Sequence, residues 1–314
     1  MISRRGRIET NLLRAPVWDA NSGMRPDPAP ISVLSLLGGD RRVKASRRLS
    51  MRDLAVLAAA GERLVSVAAP ETDAPMTLYQ LAEQVYGASG GEQRGIARPK
   101  QPGREPTGVL ASLDRLVEIS LEIPGYDVTR GRVVGDLAGR SKANLLEAVF
   151  VEHDRLELVS AAERGSLRGT VNVRVRFSRW YSEQIRAGYC TYLDLAQFRR
   201  LGSGAAARVW AYLEAESYEP KADGLETKVI GLGPKIIATL DLAGYERPRD
   251  AIRALRRASA RVMREDARYE LVEVRPGIYG QDLYVVRRTG QRLDRARVHA
   301  AALKSLASAQ RKRA

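Results

Sequence analysis

Cysteine is almost missing from this chain: Cys190 is the only one in 314 residues. A single thiol excludes an intramolecular disulfide framework and argues against a zinc site built on cysteine pairs. Histidine is nearly as scarce. His153 and His299 lie far apart, so no His-x-His pair is present to hold a metal beside a nucleophilic tyrosine. Nor does a His-x-x-Arg precede a tyrosine, as recombination chemistry would need. His153 falls between strand-like segments and reads as a turn residue. Cys190 has no base near it in sequence and reads as a small buried apolar side chain. No G-x-x-x-x-G-K-[ST] loop is present to cradle a triphosphate. Gly231-Leu232-Gly233-Pro234 is too short for a dinucleotide fingerprint, and Pro234 removes an N–H that such a loop uses. The acidic residues show no spacing suited to a metal. The expectation is a protein with no catalytic site, no metal and no cofactor.

Long hydrophobic runs are missing too. None approaches the roughly 18–20 residues of a membrane span. The N-terminus, Met1-Ile2-Ser3-Arg4-Arg5-Gly6-Arg7, is basic, but no apolar signal region follows, and the stretch after Arg4-Arg5 is broken by Arg14. The expected location is the cytoplasm, without membrane contact.

What the chain has in excess is positive charge: net +15, with 44% apolar and 28% charged residues. The apolar fraction supports a folded core, and the length suits two domains. The charge is unevenly spread. Residues 1–48 hold ten Lys/Arg against four acids, residues 247–288 eleven against six, and residues 289–314 seven against one. Residues 49–246 are close to neutral, with twenty-four against twenty-six. Such a distribution attracts polyanions, and the excess inside a folded segment is the informative part. A generally Arg-rich, basic proteome would give a similar total.

Periodicity divides the chain. Residues 1–48, with Pro16, Pro26, Pro28 and Pro30, read as a basic arm with little regular structure. Its one apolar run, Ile31 to Leu37, is suited to docking on the body or on a second copy. Residues 49–69 read as a helix capped by Ser50, followed by a short helix capped by Thr77 with Leu78, Leu81, Ala82 and Val85 inward. After a Gly/Pro-rich loop near 88–106, Thr107 starts a third helix with Leu110, Leu113, Leu116 and Val117 on one face. Strand-like segments follow at 119–123, 145–151, 155–159 and 171–177, the last alternating with period two. Ser178 then begins a connecting helix. The order recurs. A helix over 204–217 is followed by a short one from Pro234 and a long one from Pro248 to Asp266, each proline suited to a first helical turn. Residues 269–275 and 282–288 form a hairpin around Pro276-Gly277. Three helices and a hairpin, twice over, is the order of a winged helix. The fold expected is therefore α+β: two tandem winged-helix domains, mostly helical with hairpin wings, at 49–188 and 189–288, flanked by flexible basic arms at 1–48 and 289–314.

The helix over 248–266 carries the strongest signal. At about 100° per residue, Ile252, Leu255, Ser259, Val262 and Met263 form one apolar stripe. Arg249, Arg253, Arg256, Arg257, Arg261 and Arg264 share the other side, joined there by Asp250 alone among the acids. In a helix-turn-helix the second helix enters the major groove, and its N-terminal residues face base edges. Arginine pairs there bidentately with guanine. Arg249, Arg253 and Arg257 are thus candidate base readers, and Arg256 lies on the same face. Arg261 and Arg264, farther along, are candidate phosphate contacts, as is Arg247 before Pro248. A solvated arginine face is the other reading, but the acid partners at i,i+4 that stabilise such faces are mostly missing. Arg275, Tyr279, Gln281, Arg287 and Arg288 border the hairpin, either to reach the neighbouring groove or to guard an ordinary sheet edge. The matching helix of the first unit carries Arg115 beside Asp114 and Glu118 and lacks the same charge. The first unit is expected to pack on a second copy or to touch backbone through Arg174, Arg176 and Arg179.

These pieces resemble a family. The segments Leu78 to Gly87, Leu110 to Val117, Tyr192 to Ser203, Arg208-Val209-Trp210-Ala211-Tyr212-Leu213-Glu214 and Arg249 to Arg257 look like the theta-type plasmid replication initiators of the RepA/TrfA group. The likeness covers about residues 50–288. It implies that the second winged helix reads direct repeats at an origin in double-stranded DNA, while the first mediates a homodimer and touches backbone. It also implies the host replication initiator and replicative helicase as partners, and no nucleotide hydrolysis by the initiator. The other functional readings are a winged-helix transcriptional repressor on a palindromic operator and a basic RNA-binding protein.

Overall fold

A computed structural model of the chain describes residues 5–14, 17–20, 31–34, 42–45, 49–87, 104–124, 126–127, 132–133, 140–152, 171–202, 204–216, 218–220, 225–242, 244–277 and 282–289. The chain enters as β1 (Arg5–Glu9), the one-turn helix α1 (Thr10–Leu13) and β2 (Trp18–Asp19). Burial explains why this segment is ordered: Ile8, Leu12, Leu13, Val17 and Trp18 are sealed from solvent. The Trp18 indole N–H donates to the Leu12 carbonyl at 2.7 Å, so the buried ring keeps its polar handle satisfied. β3 (Ile31–Leu34) and β4 (Arg42–Ala45) form an antiparallel pair. The described part of residues 1–48 is thus built into the fold. Residues 5–14 and 17–20 supply core side chains, and Ile31–Leu34 pairs as a strand with Arg42–Ala45. The C-terminal tail, 290–314, lies outside the described residues.

β5 (Leu49–Ser50) pairs in parallel with β2 and leads into α2 (Met51–Leu64). Ser50 and Asp53 build a reciprocal cap. The Ser50 hydroxyl accepts from the Asp53 amide at 3.3 Å, and the Asp53 carboxylate accepts from the Ser50 amide at 2.8 Å. α2 is buried on most of its sides, which suits its run of Ala, Val and Leu. β6 (Asp73–Thr77), α3 (Leu78–Tyr86) and α4 (Arg104–Glu118) follow, with Thr77 and Gln80 forming a second capping box. β7 (Ser120–Pro124), β8 (Tyr126–Asp127), β9 (Arg132–Val133) and β10 (Arg140–Asn144) precede β11 (Leu146–Glu152) and β12 (Asn172–Phe177). The expected strand at 155–159, and with it His153, lies outside the described residues. α5 (Arg179–Arg186), capped by Ser178, leads to β13 (Cys190–Asp194) and α6 (Leu195–Leu201). β13 returns to pair with β1, with Arg5 opposite Asp194.

The remainder comprises α7 (Ala205–Ala215), β14 (Glu219–Pro220), β15 (Leu225–Gly231), α8 (Pro234–Thr239), α9 (Pro248–Glu265), β16 (Tyr269–Arg275) and β17 (Leu283–Thr289). Pro234 and Pro248 each sit in a first helical turn, where their missing N–H costs nothing. The sheets run β11-β12-β6 in the first unit and β14-β15-β17-β16 in the second; a further sheet joins β10-β7-β4-β3.

The fold is mixed α+β, as the periodicity indicates. With β7–β10 and the short β14 set aside, both units follow one order: helix, strand, helix, helix, strand, strand (α2, β6, α3, α4, β11, β12, then α7, β15, α8, α9, β16, β17). In each, the last strand lies between the other two. The units are nonetheless joined. One hydrophobic cluster extends from Ile8 to Val286, so the boundary expected at 188/189 is no break in the core. The N-terminal segment stitches them. Arg208 of α7, fully buried, donates to the Leu13 carbonyl at 2.7 Å, and the Ala20 amide donates to Asp241 at 2.8 Å. Burial lowers the Arg208 guanidinium to about 10, with Asp241 opposing, which still leaves it charged at neutral pH. Among the described residues no helix is long and apolar enough to cross a membrane.

Candidate nucleic-acid interface

α9 is held by small residues. Ala251, Ala254, Leu255, Ala258, Ser259 and Val262 form its buried face, against α7 and β16. Alanine at these positions lets the helix sit close to its supports. Ser259 Oγ donates to the Leu255 carbonyl at 2.8 Å and also meets the Tyr284 hydroxyl at 2.8 Å, which ties α9 to β17. The expected stripe is largely right, but Ile252 and Met263 lie at its margin, half-buried. The stripe's centre is therefore displaced toward Ala254 and Ala258, directly opposite the arginines.

Every arginine expected on this helix faces out. Arg247, Arg249, Arg253, Arg256, Arg257, Arg261 and Arg264 are all exposed. Arg253 lies 3.9 Å from Asp250, and Arg264 pairs with Glu265 at 3.2 Å. Both pairs are open to solvent and hold little energy. Arg247, Arg249, Arg256 and Arg257 make no ion pair among the described residues. Arg261 donates to the Arg200 carbonyl at 3.1 Å, capping the last turn of α6. The result is a row of guanidiniums along an 18-residue helix.

The hairpin residues differ in placement. Arg275 is exposed and pairs with its neighbour Glu273. Tyr279 and Gln281 lie outside the described residues. Arg287 is half-buried on β17. Arg288 departs from the expectation of a groove contact. Only 16% of its side chain is exposed; it pairs with Glu226 at 3.0 Å and lies 3.7 Å over the Tyr218 ring. Strand alternation accounts for this, since Arg288 shares the inner face of β17 with Tyr284 and Val286. Its charge is spent on the fold.

A polar network beyond the reach of periodicity locks the C-terminal end of α9. The Trp210 indole N–H donates to Asp266 at 2.9 Å, and Arg268 bridges Asp266 at 2.6 Å and Glu214 at 2.8 Å. The Tyr269 hydroxyl donates to Glu214 at 2.7 Å. Burial alone would raise the Asp266 carboxyl. The hydrogen bonds and charge of Arg268, with Trp210, outweigh it and hold Asp266 below its ordinary value.

The first unit places its arginines differently. Arg115 of α4 grips the buried Asp53 at 2.6 Å. Arg174 and Arg176 pair with Glu152 at 2.8 Å and Asp73 at 2.7 Å, both over the Phe150 ring. Arg179 pairs with Glu183 at 2.8 Å. The residues expected to touch backbone here already have acid partners. Cys190 is half-buried, and burial pushes its thiol to about 11, so it is a thiol at neutral pH.

The fold has known counterparts. A crystal structure of domains 2 and 3 of RctB matches with a TM-score of 0.54 and 14% identity, over 90% of this chain and 98% of that one. A second crystal structure of RctB domains 2-3 matches at 0.49 and 11% identity, over 90% and 97%. At such identity the likeness is one of fold. No protein-family model matches the sequence, and no curated protein matches it.

Proposed function

We propose that this chain is a replication initiator that binds double-stranded DNA, with α9 as the helix that reads repeated sites at an origin. The observation that carries the reading is the exposed arginine row of α9, most of it without acid partners, on a helix whose opposite face is locked into the core. Support comes from the fold, which is that of domains 2 and 3 of RctB, a replication initiator. In this reading both units are winged helices, each hairpin being a wing, and α8 with α9 is the helix-turn-helix of the reading unit. Arg249, Arg253 and Arg257 address base edges, and Arg256 and Arg247 the adjoining strand. Arg275 and Arg287 stand where the wing meets a neighbouring groove. Binding alone accomplishes the task, without nucleotide hydrolysis by the chain itself. The narrower RepA/TrfA assignment rests on the sequence motifs, as do the homodimer, the host initiator and the replicative helicase as partners.

The test is an anisotropy titration with a labelled 30-base-pair random duplex and, separately, a structured RNA, for the wild type and R253A/R257A. The expected result is duplex binding that falls steeply with salt and weakens at least tenfold in the variant. Tighter RNA binding, unchanged in the variant, contradicts the reading.

A further inference from the structure

Beside the C-terminal half of α9, the last turn of α6 presents one more cation that no feature of the sequence singles out. Arg200 is exposed, and the acceptor its guanidinium meets among the described residues is the side-chain oxygen of Gln197. Gln197 is itself buried. Its amide N–H donates to the Glu265 carbonyl at the end of α9, at 2.9 Å. One neutral side chain thus fixes Arg200 with respect to α9. The reverse link is Arg261 of α9, which donates to the Arg200 carbonyl at 3.1 Å. Each guanidinium is thus held by a neutral oxygen, that of Arg200 by Gln197 and that of Arg261 by the Arg200 carbonyl. Two acids close by in sequence are committed elsewhere: Asp194 caps α6 through the Ala196 amide at 2.8 Å, and Glu265 pairs with Arg264. Like charges placed together without a counter-charge cost free energy until an anion joins them.

We infer that Arg200 and Arg261 form a phosphate subsite that continues the α9 track onto α6. The inference rests on the DNA-binding reading above and extends its footprint. Helical rise sets Arg261 about 12 Å beyond Arg253 along α9. That is comparable to the width of about 12 Å of the major groove, so a helix whose N-terminal half lies in the groove brings Arg261 to its sugar–phosphate rim. Arg200 meets the same strand from the adjoining helix. Because α6 also packs on α3 of the first unit, with Arg199 donating to the Gln84 carbonyl at 2.5 Å, a phosphate here touches the joint between the units.

The probe is the labelled 30-base-pair random duplex in a KCl series from 50 to 200 mM, with the full chain as wild type, R200Q and R200K. Losing one phosphate contact lowers the salt slope by about 0.9, so over this fourfold range R200Q loses about threefold less affinity than the wild type. R200K, which keeps the charge, restores most of the slope. A shared unfolding temperature confirms that the fold is intact. A wild-type slope in R200Q, with binding otherwise normal, overturns the subsite and leaves the reading helix standing. No duplex binding by the wild type overturns both.

Discussion

Gly61 shows how closely single atoms set this fold. It lies inside α2, where alanine would ordinarily be favoured by about 1 kcal/mol. Here a Cβ would stand 2.3 Å from the Arg7 carbonyl oxygen of β1. Overpacking of this kind costs about 1–3 kcal/mol, so G61A is expected to lower the urea midpoint, and an unchanged or raised midpoint contradicts the close approach. Asp266 makes a second prediction. Its folded carboxyl lies below its unfolded value, so the unfolded chain takes up the proton first as pH falls. The stability it contributes is complete above the ordinary carboxylate range and is lost as pH drops through the lower, folded value. D266N is expected to lower stability at pH 7 and to flatten the acid side of the stability–pH curve; parallel curves for the two proteins contradict this. Neither residue was legible in the sequence: Gly61 owes its role to β1, far away along the chain, and Asp266 joins Arg268, two residues on, to the distant Trp210.

At the scale of elements, α9 was the most legible part of the molecule, because periodicity reports on a helix's own two faces. The caps at Ser50 and Thr77 were legible for the same reason, since a cap involves residues three apart. The third strand of each sheet was not. β6 alternates, with Ala74 and Met76 buried, but Pro75 in its middle argues against a strand, and β15 has a buried residue only at Ile230. Arg288 alternates with Tyr284 and Val286 on β17. Its ion pairs depend on Glu226 and Glu214, which only the assembled sheet brings near. The two kinds of arginine make opposite predictions. R253A/R257A is expected to change folding stability by less than about 0.5 kcal/mol, as exposed side chains do. R288A breaks a part-buried pair and a ring contact and is expected to cost about 1–3 kcal/mol. Equal effects on thermal unfolding contradict this division.

For the molecule as a whole, the largest departure from the sequence reading is the N-terminal segment. Proline and arginine around it hid an apolar set, Ile8, Leu12, Leu13, Val17 and Trp18, too short for a periodicity to register. Its partners lie in α2 and α7, one in each unit. Burying Ile8, Leu12 and Leu13 alone contributes about 5–9 kcal/mol, comparable to the net stability of a domain. Deleting residues 1–16 is therefore expected to abolish cooperative unfolding, whereas a dispensable arm would leave the melting curve unchanged. The joined core also fixes α9 relative to the first unit. The measurement that tests this account most directly is selection of bound duplexes from a random pool at about 150 mM salt, near the physiological value, by the wild type and by R253A/R257A. The account predicts a defined motif for the wild type that blurs or vanishes in the variant. The same motif from both proteins, or none from the wild type, would contradict base reading by α9.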